Sequence, residues 1–316
     1  MDIKNLYDLK IKKVIQIGDE YEIYVPHSKL YLEHVNLKEW QITCTASIIN
    51  HVTSNGFYGI DDIVKSKDGK AYVNFEGRTY VMVKKAEGLK LKLKNRKDIL
   101  SMAEFSAAFH NAAEGFVESS GNRVIVKWGK RMEKCRKLLN TFEKYSENIK
   151  ETESCDEFQE LTRQYADNLL NRSRASMKIL RSLEYLKALE NSMKKKEVCL
   201  NSISNGAAIA SNGKITYVKI FNMGYNMVEE DLADLVKRST ELSGDLSLYD
   251  DIMGKYLTVR KLGSYSSDVV KALAAFPYDS IKVILKYMDD KTRGEELIKK
   301  LKKNVAKEMN TNLLGV

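Results

Sequence analysis

Val198-Cys-Leu-Asn-Ser-Ile-Ser-Asn-Gly-Ala-Ala-Ile-Ala-Ser-Asn-Gly-Lys-Ile-Thr-Tyr-Val-Lys-Ile-Phe-Asn222 is the stretch whose reading decides the fold. It alternates an apolar strand, a polar loop, a short apolar run, an Asn212-Gly213 turn and a second apolar strand. Asn-Gly between two strand-like runs predicts a hairpin, because a type I′ turn needs positive φ at both central positions. From Val198 to Val228 there is no Asp, Glu or His, although charged residues make up 30% of the chain.

Upstream, residues 10–35 alternate apolar and polar side chains, punctuated by Gly18-Asp19 and Pro26-His27-Ser28, and predict a small antiparallel sheet. Residues 37–54 carry Trp40, Ile42, Ile48, Ile49 and Val52 at helical spacing and stop at Asn55-Gly56. Residues 57–86 return to strands, with turns at 67–70 and 76–78. Beyond residue 95 the pattern becomes helical, with Asp98 as the expected cap of the first helix. It stays so through 127–195, and again over 229–241 and 245–306. A strand-rich lobe followed by a larger helical lobe with one inserted hairpin predicts an α+β, protein-kinase-like two-lobe fold. The expected division is an N-terminal lobe at 1–86, a hinge at 87–97 and a C-terminal lobe at 98–316.

Composition narrows the function classes. The chain has 316 residues, 43% hydrophobic, with net charge +9 and only two prolines, Pro26 and Pro277. It can bury a large core, and the positive charge favours anionic partners without identifying nucleic acid. Cys44, Cys135, Cys155 and Cys199 form no C-x-x-C pair, which argues against a zinc or redox motif and for buried thiols. His27, His34 and His51 show no ligand spacing. The first residues are polar rather than signal-like, and no run reaches the ~18 apolar residues of a membrane span.

Five further blocks carry a family resemblance. They are Asn55-Gly-Phe-Tyr-Gly-Ile-Asp-Asp-Ile-Val64 with Asp68-Gly-Lys-Ala-Tyr-Val73; Ala107-Ala-Phe-His-Asn-Ala-Ala-Glu-Gly-Phe116; Lys127-Trp-Gly-Lys130; Asp231-Leu-Ala-Asp-Leu-Val-Lys-Arg238; and Ala275-Phe-Pro-Tyr-Asp-Ser-Ile-Lys-Val-Ile-Leu-Lys-Tyr287. Together they resemble the CotS-type spore coat proteins, which share the fold of aminoglycoside phosphotransferases and choline kinases. The resemblance covers about residues 10–305. It implies synthesis in the mother-cell cytoplasm, deposition in the spore coat and other coat proteins as partners.

Active members of that wider fold use a small-lobe Lys on the nucleotide phosphates, a loop Asp for catalysis, and an Asn and an Asp to hold Mg²⁺, because phosphoryl transfer is mostly positioning and charge neutralisation. Here those positions fall on Glu33, Ser202, Ala207 and Ile220. A one-residue slip puts the last three on Asn201, Gly206 and Lys219, still without a carboxylate. The expectation is a catalytically degenerate, pseudokinase-like structural component of the coat, not an enzyme, with no metal and no cofactor. Two alternatives stand beside it. One is a binding pseudokinase holding a nucleotide, sugar or peptide; the other is a small-molecule phosphotransferase whose metal ligands come from elsewhere in the chain.

Asn201, Ser202, Ser204 and Asn205 are the candidate ligand-binding residues, although capping their own loop is the usual job of these residue types and the favoured explanation. Lys84, Lys85, Lys90, Lys92 and Lys94 form a candidate docking strip, or a charge-protected edge. His110 reads as a hydrogen-bonded, partly buried histidine. Asp231 and Asp234 read as carboxylates favoured by a helix N-terminus. The lysines at 299–303 lie opposite Leu297, Ile298, Leu301 and Val305, as on an ordinary amphipathic helix.

Overall fold

The computed structural model describes residues 3–118, 121, 123–153, 155–290 and 294–316. After a one-turn helix, α1 (Ile3–Leu6), the alternating segment forms β1 (Lys13–Ile17), β2 (Glu20–Val25) and β3 (Ser28–His34). Helix α2 (Glu39–Ser54) follows and ends at Asn55, as its sequence predicts. Then come β4 (Asp62–Val64), β5 (Val73–Phe75) and β6 (Arg78–Lys84). All pairings are antiparallel, in the order β1-β2-β3-β6-β4, with β5 also on β6. The period-2 pattern divides the sheet's side chains between two cores. Ile23, Leu32 and Met82 pack with Tyr7 on one side. Val81 and Val83 join α2 on the other.

Strand β7 (Leu89–Lys90) leaves this lobe and pairs with the hairpin of the other lobe. Leu91 and Leu93 turn inward while Lys90, Lys92 and Lys94 stay exposed, so the alternation of the basic run is real. Helix α3 (Arg96–Ala113) begins three residues earlier than expected. Asn95 is its cap, accepting the Asp98 N–H at 3.2 Å, and Asp98 instead accepts the Lys92 N–H at 2.9 Å. An Asn in extended backbone serves this role as well as an Asp.

The helical lobe continues with α4 (Lys130–Glu151), α5 (Glu157–Leu180) and α6 (Leu183–Lys195). Next are β8 (Val198–Cys199), β9 (Ala208–Ser211), β10 (Lys214–Tyr217), a 3₁₀ turn at Ile220–Asn222, and β11 (Gly224–Tyr225). β9 and β10 pair with Ser211 opposite Lys214, leaving Asn212 (φ 49°) and Gly213 (φ 76°) as the two-residue turn. Both φ values are positive, the type I′ signature. The chain closes with α7 (Val228–Ser243), α8 (Leu248–Leu257), α9 (Ser266–Ala275), α10 (Tyr278–Asp289) and α11 (Gly294–Met309). The result is a bilobed α+β molecule of the protein-kinase-like kind. No described helix is long and apolar enough to cross a membrane. Cys44, Cys135 and Cys199 are buried free thiols, and Cys155 is a partly exposed one.

Candidate functional site

The loop after β8 is held from below by the first turn of α7. That turn carries Glu229, Glu230 and Asp231, acidic side chains in the place where the helix dipole favours them. Asp231 is wholly buried. Its Oδ2 accepts the Leu200 N–H at 2.7 Å and its Oδ1 the Asn201 N–H at 2.8 Å. His110 Nε2 lies 3.0 Å from the same Oδ2, and Nδ1 lies 2.8 Å from the Tyr256 hydroxyl. A carboxylate only accepts, so Nε2–H donates and Nδ1 accepts the tyrosine proton. The Cys199 thiol donates to the Asn226 carbonyl at 3.4 Å, and burial holds its pKa well above the usual thiol value.

A second network extends toward solvent. Asn226 Nδ2 donates to Asn201 Oδ1 at 2.8 Å and to Glu230 Oε2 at 2.9 Å. Asn201 adopts the left-handed conformation (φ 56°), and its amide reaches the carbonyls of Cys199, Asn222 and Gly224. Asn tolerates that backbone because its short amide satisfies local carbonyls. Glu230 is nearly buried, and loss of water pushes its carboxyl up to about 7. Its Oε1, like Asn226 Oδ1, finds no donor among the described residues.

These groups border an open cavity of about 570 Å³, also lined by the start of α2, the segment 124–127 and the start of α4. Asn201, Glu230, Asp231 and Asp234 reach it. Asp234 is bound by Arg131 at 2.7 Å.

The sequence-predicted residues separate. Of the four polar loop candidates only Asn201 lines the cavity. Asn205 Oδ1 accepts the Leu93 N–H at 2.7 Å, pinning the segment after β7, and Ser204 Oγ accepts from Lys219 at 3.0 Å. Ser202 offers its carbonyl to the Tyr217 hydroxyl at 3.1 Å. Ala207 and Ile220 are buried in the core. Glu33 is ion-paired with Lys85, whose ammonium also lies 4.6 Å from the Tyr31 ring centroid. Lys84, Lys90, Lys92 and Lys94 are exposed.

Three expectations need correction. The chain was expected to lack metal-ligating chemistry and therefore catalysis, as a pseudokinase-like structural protein. The structure instead gathers His110, Cys199 and Asp231, each with a ligating atom within 4.8 Å of the others, and does the same for Glu241, Asp279 and Glu308. The acids enter from α7, about 30 residues beyond the loop they support, so a reading confined to 198–228 misses them. His110 is wholly rather than partly buried, and Asp231 does far more than complement a helix end. Glu230 was not singled out at all. The run Glu229-Glu230-Asp231, directly after the acid-free stretch, was the available signal.

The two clusters suit different ions. The all-carboxylate set fits a hard cation, but its oxygens already surround the Lys237 ammonium, with Glu308 at 3.2 Å and Asp279 at 3.4 Å. The His/Cys/Asp set is of softer character. Glu230, which lines the cavity, and Asn226, buried behind it, each keep one side-chain oxygen without a donor among the described residues, and oxygen is the ligand type a hard divalent cation takes.

Solved structures share the architecture. An aminoglycoside phosphotransferase from Alicyclobacillus acidocaldarius superposes with TM-score 0.81 at 15% identity, covering 99% of this chain and 93% of its own. Amicoumacin kinase, in complex with AMP-PNP, Ca²⁺ and its substrate, gives 0.65 at 14%, covering 98% and 92%. Spectinomycin phosphotransferase with ADP and spectinomycin gives 0.60 at 15%, covering 99% and 97%. At these identities the likeness shows the fold. No curated protein sequence matches. The family described as "Spore coat putative kinase YutH" matches residues 1–313, nearly the full length over which the five motif blocks and the two-lobe fold extend, and the chain belongs to that family.

Proposed function

We propose that this protein is a spore-coat-associated, metal-dependent phosphotransferase acting on a small hydroxylated molecule, with its cleft carboxylates supplied by α7. One observation carries the reading: a wholly buried His110–Cys199–Asp231 cluster fixes the loop at 200–201. Beside it Glu230 lines the cavity and keeps one buried carboxylate oxygen without a donor among the described residues. The bonds already made to Asp231 leave Glu230, backed by Asn226, as the residue that would hold a divalent cation. Such a cation neutralises charge on the phosphoryl group in flight. In the transfer, an acceptor oxygen bonds to the γ-phosphorus of a nucleoside triphosphate. The bond from that phosphorus to the diphosphate oxygen breaks, and the hydroxyl proton passes to solvent. Asn201 is the loop residue placed to meet the ligands. The lobes at 1–86 and 98–316 would close on them about the segment 87–97, whose exposed lysines are available to acidic coat proteins. Synthesis in the mother-cell cytoplasm precedes incorporation into the coat in this reading.

The test is turnover of ATP by the purified chain with Mg²⁺ or Mn²⁺, followed as ADP release. Chelation by EDTA should abolish it. Glu230→Ala should lower it about 100-fold, as expected for a lost electrostatic group in the cleft, with little change in melting temperature. Absence of any metal-dependent turnover or nucleotide-dependent stabilisation would sink the proposal.

A further inference from the structure

The charges around the cavity are unevenly satisfied. Each neighbouring aspartate already has partners: Asp231 has His110 and two backbone N–H groups, Asp234 has Arg131, and Asp279 has Lys237 and Arg238. Lys127, Lys130 and Lys134 border the same space, and among the described residues none of them makes an ion pair.

Lys127 is also rigidly placed. Its N–H donates to the Tyr225 carbonyl at 2.8 Å, and the Tyr225 N–H donates to the Ile125 carbonyl at 2.8 Å, so Val126 forms an isolated parallel bridge to Tyr225 of β11. The next residue, Trp128, stacks on the Tyr225 ring with centroids 4.8 Å apart and planes 7° from parallel. Its indole N–H donates to Ser192 Oγ at 3.0 Å. Burial lowers the Lys127 pKa, while Asp231, Glu230 and Asp234 pull it back up. A partly desolvated ammonium on a fixed stretch of backbone, without an ion-pair partner, attracts an anion more strongly than a free surface lysine does.

We infer that Lys127, with Lys130 and Lys134, receives the anionic group of the acceptor. The substrate is then an alcohol bearing a phosphate or a carboxylate, not a cationic one. This rests on the phosphotransferase reading for the word "acceptor", whereas the anion site itself is measurable without turnover. The three lysines and Glu230 line one cavity, so an acceptor anchored by its anion can extend its hydroxyl toward the carboxylates.

The experiment is calorimetric titration of the full chain at constant ionic strength. The probes are inorganic phosphate, glycolate, choline and ADP, against wild type, Lys127→Met and Lys134→Met. Phosphate, glycolate or both should bind wild type, the pair distinguishing a phosphate from a carboxylate site; choline should not. Lys127→Met should weaken anion binding about tenfold or more, the value of a charge-assisted contact, and Lys134→Met should weaken it less. ADP binding should survive both changes. Phosphate binding that ignores Lys127 (an adventitious ion only), choline binding in place of the anions, or loss of ADP binding alone would each overturn the inference. The parallel ATP turnover assay separates the two claims. Turnover without Lys127-dependent anion binding removes only this inference, and anion binding without turnover removes only the phosphotransferase reading.

Discussion

At the scale of single residues, Asp231 is the most constrained group in the cleft. Three donors converge on it in a site closed to water: two backbone N–H groups and His110. Truncating a buried acceptor leaves its donors unsatisfied, at a cost well beyond the net worth of each bond. Asp231→Ala should therefore lose about 3–5 kcal/mol of stability in urea unfolding. His110→Ala removes one of the same contacts and leaves the Tyr256 hydroxyl without its partner. Because the two share a network, the double variant should be less destabilised than the sum of the singles, by about 0.5–3 kcal/mol. Strict additivity would mean that the bonds are not coupled.

Between elements, the join of β7 to β9 depends on one glycine. Gly88 has φ 153°, and a Cβ there would run into the Ala210 carbonyl. Gly88→Ala should part the hinge from the hairpin and cost about 1–3 kcal/mol, the usual penalty of overpacking. Amide hydrogen exchange should then quicken at Leu91, whose N–H donates to the Ala208 carbonyl at 2.9 Å. Unchanged protection there would show that the hinge does not need that close approach. The hairpin, by contrast, is fixed locally. Asn212 and Gly213 supply the positive φ values, and nothing lies within 4 Å of a Cβ built at Gly213.

For the whole molecule, Asp61 marks where both lobes meet. Its N–H donates to the Tyr217 carbonyl of the hairpin at 3.0 Å, and its Oδ1 accepts the N–H of Ala86, just after β6, at 2.9 Å. It is 5% exposed, and burial raises its pKa from 3.8 to about 6, against the opposing pull of the Ala86 bond and of Lys85. The native state thus holds the Asp61 proton more tightly than the unfolded chain does. Its contribution is fully present below pH 3.8 and is lost as pH rises through about 6. Asp61→Asn keeps an acceptor for Ala86 without titrating. It should flatten the stability profile across that window, by up to about 3 kcal/mol, as read from urea unfolding at acidic and neutral pH. An unaltered profile would show that another group governs the slope.

The lobe order, the helix at 39–54 and the type I′ turn were legible in the sequence, because each is set by local periodicity or by the φ preference of one or two residues. The family resemblance was legible as well, through motif blocks that survive divergence. The acid-free stretch from Val198 to Val228 was read correctly as a sequence, but its functional meaning was not contained there. Whether a loop without carboxylates stands beside carboxylates depends on which distant helix packs beneath it. That is decided by the tertiary burial that sets Asp231 under Leu200 and Asn201 and brings His110 to the same oxygen. The sequence by itself determined the elements and their order, since neighbours along the chain set φ, ψ and apolar period. Only the tertiary structure decided the site, since its ligating atoms come from α3, β8 and α7 and meet only when those three elements share one core.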